Sequence, residues 1–200
     1  MKKMVCLVLA LLLCLNAAAL AEYVPSKTTG DFTQIEATGE NLPEDAGLEI
    51  RAVLQDEEEY QDLLTISQSE IEKLAATTVA EYFAEAKDAE ENPVDLAEML
   101  GTEELKVYEF CPIIVNGYAE EYGTLTVTLY FSTPYEVGQK VVVMIGLVNE
   151  VAQNMHTVEW TAYEGVGVNG ELGVGIEVEV TPEVLLAIQD GMALLAVVSE

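Results

Sequence analysis

The chain has 200 residues, 36 of them acidic and 8 basic, a formal net charge of −28, and a hydrophobic half. A surface this acidic repels phosphate backbones and anionic headgroups, which excludes nucleic acid and lipid surfaces as expected partners. The apolar half suffices for a buried core and excludes general disorder.

Residues 1–21 read as a secretory signal peptide. Lys2 and Lys3 supply the basic start, Val5 to Leu15 the apolar centre, and Ala19-Leu20-Ala21 the small-x-small cleavage pattern. The apolar run is short for a membrane helix. Cys14 follows Leu11-Leu12-Leu13, not the small residues that lipid attachment needs. A secreted, extracellular product is expected, with no membrane association after cleavage. Cleavage before Glu22 removes two of the 8 basic residues, leaving six against 36 acidic ones, a net charge of −30. It also leaves Cys111 as the only cysteine, so no intramolecular disulfide is expected and packing must stabilise the fold. In its strand-like run Cys111 reads as a buried, inert thiol.

Residues 22–47 mix Pro25, Gly30, Gly39 and Pro43 with few apolar anchors and read as an extended lead-in carrying at most one short strand. A helical region is expected over residues 48–103. It opens with a strand candidate from Leu48 to Leu54 and a solvated acidic turn from Asp56 to Glu59, which lacks the ligand spacing of a calcium loop. Ser67 and Glu70 have the spacing of a capping box, and Ile71, Leu74, Ala75, Thr78, Val79, Tyr82, Phe83 and Ala86 continue at helical steps. One long amphipathic helix is therefore expected, stopping by Asn92-Pro93, with Glu70 on its wet side. A second, short helix from Asp95 to Leu100 follows, capped by Asp95 and ended by Gly101.

From residue 104 to 200 six segments read as strands: Leu105 to Val115, Thr124 to Phe131, Lys140 to Val148, His156 to Tyr163, Leu172 to Val180 and Met192 to Val198. In the second, Leu125, Val127, Leu129 and Phe131 alternate with Thr124, Thr126, Thr128 and Tyr130, the two-residue period of a strand with one apolar and one wet face. Thr181-Pro182 opens a helical crossover that runs to Gln189. The class is thus mainly β with an α appendage (α+β), an antiparallel β-sandwich preceded by one long amphipathic helix and one short helix. In architecture alone this resembles immunoglobulin-like folds; the paired cysteines around a tryptophan that mark antibody domains are missing, and the likeness implies no activity.

Gly165, Gly167 and Gly170 match G-x-G-x-x-G, but a dinucleotide loop must open a helix, and here the alternation of Ile176, Val178 and Val180 continues as a strand, so a glycine-rich hairpin is expected. His156 is the only histidine, and no G-x-S-x-G elbow occurs. No catalytic, metal or cofactor residue is therefore assigned, and an enzyme is not expected. Trp160 alternates with Val158 and Ala162 and reads as core. Tyr118 and Tyr122 lie in a turn between Gly117 and Gly123, and simple hairpins would bring that turn beside Asn149 to Asn154. Tyr118, Tyr122, Asn149 and Asn154 are accordingly the candidate ligand-binding residues, for an extracellular protein or a glycan. A non-catalytic binding module is the leading functional expectation. A small carbohydrate-active enzyme or a structural subunit is the alternative.

Overall fold

The computed structural model describes residues 32–152 and 155–200; the signal-peptide reading and Asn154 lie outside them. The described elements, in order, are β1 (Phe32–Thr38), β2 (Glu49–Ala52), α1 (Gln61–Ala75), α2 (Val79–Tyr82), α3 (Leu96–Leu100), β3 (Lys106–Asn116), β4 (Leu125–Phe131), β5 (Lys140–Ala152), β6 (Met155–Gly170), β7 (Gly173–Val180), α4 (Pro182–Asp190) and β8 (Ala193–Ser199). The protein is mainly antiparallel β with a few helices, and all six expected strands are present.

The strands join into one eight-stranded sheet of order β1-β4-β7-β6-β5-β8-β3-β2, where two separate sheets were expected. The reason lies in β8, which pairs with β3 on one side (Ile113↔Ala193) and with β5 on the other (Leu147↔Ala193), so its hydrogen bonds stitch the two halves together. The sheet curls until its edge strands β1 and β2 lie side by side without a ladder between them, giving a nearly closed, barrel-like shape. Both edge strands come from before Val53, in the stretch expected to hold at most short strands.

Curling gives the sheet an inner and an outer face. The inner core takes alternate residues such as Ile113, Val127, Val143, Ile176 and Leu195, with Leu185 and Ile188 of α4 packed among them. α4 carries Pro182 at its first turn, the position where a missing N–H costs nothing, and it fills the interior as it carries the chain from β7 to β8. On the outer face Phe110, Met144, Trp160 and Leu194 are covered by Leu63, Ile71, Leu74 and Phe83 of the helical layer. β8 is therefore buried on both faces and reads as an unbroken apolar run, whereas β4 alternates buried and half-buried positions from Leu125 to Leu129 and then buries both Tyr130 and Phe131. Trp160 is core, with Phe83 edge-on at 5.1 Å and Phe110 at 5.8 Å.

The helical layer departs from the expectation. α1 begins at Gln61, so Ser67 and Glu70 sit in its middle and form no capping box. The capping box is one helix later: Thr78 accepts from the Glu81 N–H, and the Glu81 carboxylate accepts from the Thr78 N–H. Thr78 adopts extended angles (φ −82°, ψ 157°), which ends the long helix despite the continuing apolar period. α3 is as expected, with Asp95 accepting from the N–H groups of Ala97 and Glu98 and Gly101 left-handed at φ 74°. Leu54, expected to close the strand candidate from Leu48, is 54% exposed beyond the end of β2. The acidic turn is held by Arg51, whose guanidinium pairs with Glu57 at 2.8 Å.

The glycine-rich segment is a β6–β7 hairpin, as expected. Two of its glycines are dictated by close approach. A Cβ on Gly167 would lie 2.0 Å from the Glu136 carbonyl oxygen, and one on Gly170 would lie 1.8 Å from the Tyr130 hydroxyl.

Candidate functional site

The residues expected to bind a ligand are only partly brought together. The registers of β3 and β5 against β8 place Asn116 and Asn149 at the same end of the sheet, on either side of the start of β8. Asn149 is exposed and lies opposite Thr157. Tyr118 is not on that surface. It is buried in the inner core, its hydroxyl donates to the Gly123 carbonyl at 2.6 Å, and its backbone N–H donates to Gln189 of α4 at 2.8 Å. Burial, with Glu120 and Glu183 nearby, raises its phenol pKa. Tyr122 packs edge-on against it at 5.9 Å and is half-buried. The turn therefore folds back over the end of the barrel, because Gly117 and Gly123, at φ 73° and 71°, reverse the chain tightly enough to aim Tyr118 inward.

A second constellation brings together residues of α1, α2 and β6 that lie far apart in sequence. Glu70 of α1 has a side chain only 5% exposed, and its Oε1 accepts from Lys73 at 2.6 Å and from His156 Nε2 at 2.9 Å. Its Oε2 accepts from the Tyr82 hydroxyl at 2.7 Å. Burial alone would raise the carboxyl pKa, but the bonds from Lys73, Tyr82 and His156 outweigh it and hold the group below its ordinary value. Tyr82 moves the other way: burial first, then the adjacent carboxylate, pushes its phenol far above the ordinary range. An ionised carboxylate only accepts, so a neutral His156 must carry its proton on Nε2. A carboxylate held below its usual pKa, with three donors on it, is a poor base. Its physical effect is to tie α1, α2 and β6 together. The signal for it was available: Leu63, Ser67, Glu70, Ile71 and Leu74 recur at steps of three and four and are all buried.

A third feature is a groove of about 580 Å³ between residues 88–99 and β6. The β6–β7 ladder stops at Gly165, and beyond it the edge of β6 is taken by Lys87, whose N–H donates to Trp160 at 3.1 Å and whose carbonyl accepts from Ala162 at 2.7 Å. The chain then turns at Asp88, which accepts from the N–H groups of Glu90 and Asn92, and returns at Pro93 toward α3. Pro93, Val94 and Met99 give the groove apolar wall, and Asp88, Glu90, Asp95, Glu98 and Glu164 give it carboxylates. Asp88 and Asp95 spend theirs on backbone N–H groups. Among the described residues no cation pairs with Glu90, Glu98 or Glu164. Nor, among those residues, do three or more His, Cys, Asp or Glu side chains gather as a metal site. No helix there is long and apolar enough to cross a membrane.

The chain matches no family model, and no curated protein or solved structure compared with it is similar to it.

Proposed function

We propose that this chain is a secreted, non-catalytic binding module that takes a cationic segment of an extracellular protein in the groove between residues 88–99 and β6. The carrying observation is the groove itself, a concavity of about 580 Å³ with apolar wall and three carboxylates that no basic side chain among the described residues offsets. Carboxylates on an apolar surface reward a lysine- or arginine-bearing partner twice, through charge complementarity and through the apolar stems of those side chains. The overall charge of −28 steers such a partner inward and favours a basic protein over a neutral or anionic glycan. In this reading the curled sheet serves as the sandwich of an immunoglobulin-like module would, a rigid body presenting connections at its margin.

The test is an array of extracellular proteins and glycans probed with the exported chain and with a Glu90→Gln/Glu98→Gln/Glu164→Gln variant, with a hydrolysis screen on whatever binds. Capture of basic proteins that weakens at least tenfold in the variant, and weakens again with added salt, supports the module. Binding indifferent to all three substitutions removes the groove from consideration, and turnover of a bound glycan favours an enzyme.

A further inference from the structure

Every neighbouring pair of strands in the sheet is hydrogen-bonded except where β1 and β2 meet. β1 pairs only with β4 and β2 only with β3, so widening the seam between them breaks no ladder among the described residues. Along the seam runs a groove of about 420 Å³ whose apolar lining includes Ile35, Ala37, Leu42, Leu48 and Ile50. Ile35 and Ile50 also line a void of about 30 Å³ on the inner side, walled by Ile145, Leu185 and Leu195 among other apolar side chains. That void offers no polar partner to a water, so it stays dry. The outer groove and the inner void thus share Ile35 and Ile50 as a common wall.

We propose that this seam binds one unbranched alkyl chain carrying a cationic head, with the terminal methyl lodged at the void behind Ile35 and Ile50 and the head outside near Glu44. An unbranched chain is the shape that enters a slot between two strands, and a terminal methyl suits a void with room for about one water-sized group. The head group follows from charge. Among the described residues Glu44 is the only charged one lining the groove, and the molecule carries −28, so a carboxylate or sulfate head is repelled and an ammonium attracted. The same charge disfavours a second copy of the chain pairing edge to edge at this seam.

The experiment titrates the exported protein with dodecylamine below its micellar concentration, following heat and the isoleucine and leucine methyl resonances. The expected result is saturable binding of one amine, shifts at Ile35, Ile50 and Leu185 and not at Leu63 or Leu74 of the helical layer, and about fourfold weaker binding for each buried methylene removed from the probe. Dodecanoate should bind at least tenfold more weakly. Ile50→Trp, which fills the seam, should abolish binding, and the methyl shifts of the unsubstituted protein decide the matter even if that variant does not fold. Amine that spreads over several sites without moving the Ile35 and Ile50 methyls overturns the proposal, as does equal binding of dodecanoate. The triple glutamine variant of the other groove should bind dodecylamine unchanged, which separates this site from the one proposed above.

Discussion

The imidazole Nε2 of His156 lies 2.9 Å from Glu70 Oε1, joining the start of β6 to the middle of α1 across 86 positions of sequence. Because Lys73 and Tyr82 bond the same carboxylate, Glu70 is one point at which the helical layer is fastened to the sheet by polar contacts. Glu70→Ala strands three donors and should cost about 2 kcal/mol, since a half-buried donor loses its partner without regaining full hydration. Glu70→Gln should cost less, and His156→Ala about 1 kcal/mol. Urea denaturation of the three variants checks the order; equal midpoints for Glu70→Ala and the parent would mean the contacts contribute nothing.

The same residues set the pH limits of the fold. The folded pKa of Glu70 is lowered, so its stabilisation is complete above the ordinary carboxyl range and is lost as pH falls through the lowered folded value. Tyr82 is raised, so its contribution is complete below the unfolded phenol pKa of about 10 and is lost as pH climbs beyond it. Stability against pH should therefore fall on the acid side less steeply in Glu70→Gln, and on the alkaline side less steeply in Tyr82→Phe. Thermal midpoints measured across the pH range in both variants test this.

Ser67 presents the opposite case. It is 1% exposed on the buried stripe of α1, and its hydroxyl has no hydrogen-bond partner among the described residues. Ser67→Ala removes an unsatisfied polar group and adds helix propensity, and it should raise stability by up to about 1 kcal/mol. A loss of stability in the same denaturation experiment would show that the hydroxyl does have a partner.

Gly167→Ala should be among the costliest single-methyl additions in the chain, about 3 kcal/mol or more. Its new Cβ meets the Glu136 carbonyl, and that loop is held in place by the Gly138 N–H on the Gly167 carbonyl and the Gly167 N–H on the Gln139 carbonyl, at 2.8 and 2.9 Å. Alanine at Gly101, where nothing lies within 4 Å, pays only for its left-handed backbone and serves as the comparison.

Tyr118→Ala should lower stability by about 3 kcal/mol while leaving partner binding at the carboxylate groove intact, because the ring is in the inner core and its hydroxyl is bonded. Calorimetry paired with the binding array separates the two effects. Loss of binding at unchanged stability would return this tyrosine to the role expected from sequence.

What could be read in advance followed short-range periodicity. The alternation of β4 reported a strand with an apolar inner face, although Tyr130, expected on its wet face, is buried; the turn residues marked the gaps, and Asp95 and Gly101 marked both ends of α3. Partnership was not legible. Whether β8 pairs with one neighbour or two depends on contacts some 80 residues away, and that choice separates two sheets from one. The helical layer misled for a local reason: the apolar period runs on through Thr77 and Thr78, but Thr78 caps the following helix instead of continuing the first. Glu70 was assigned to the wet face because carboxylates usually sit there. Its donors, Tyr82 on another helix and His156 on a strand, could be found only in three dimensions. The groove carboxylates were visible as composition, but the edge of β6 that brings Glu164 beside Glu90 and Glu98 was not.

β8 follows the other described strands in sequence and yet lies between β3 and β5, deep in the sheet. During vectorial synthesis β3 and β5 each therefore wait with an open edge, and both hydrophobic layers remain incomplete, until residues 193–199 have left the ribosome. The sheet cannot close progressively from its amino-terminal end, so assembly is governed by long-range pairing and should be slow for a chain of this size. In that interval two apolar strand edges are exposed at once, which makes the nascent chain a natural client for a holding chaperone and makes the seven-residue β8 the step that commits the sheet to the native fold.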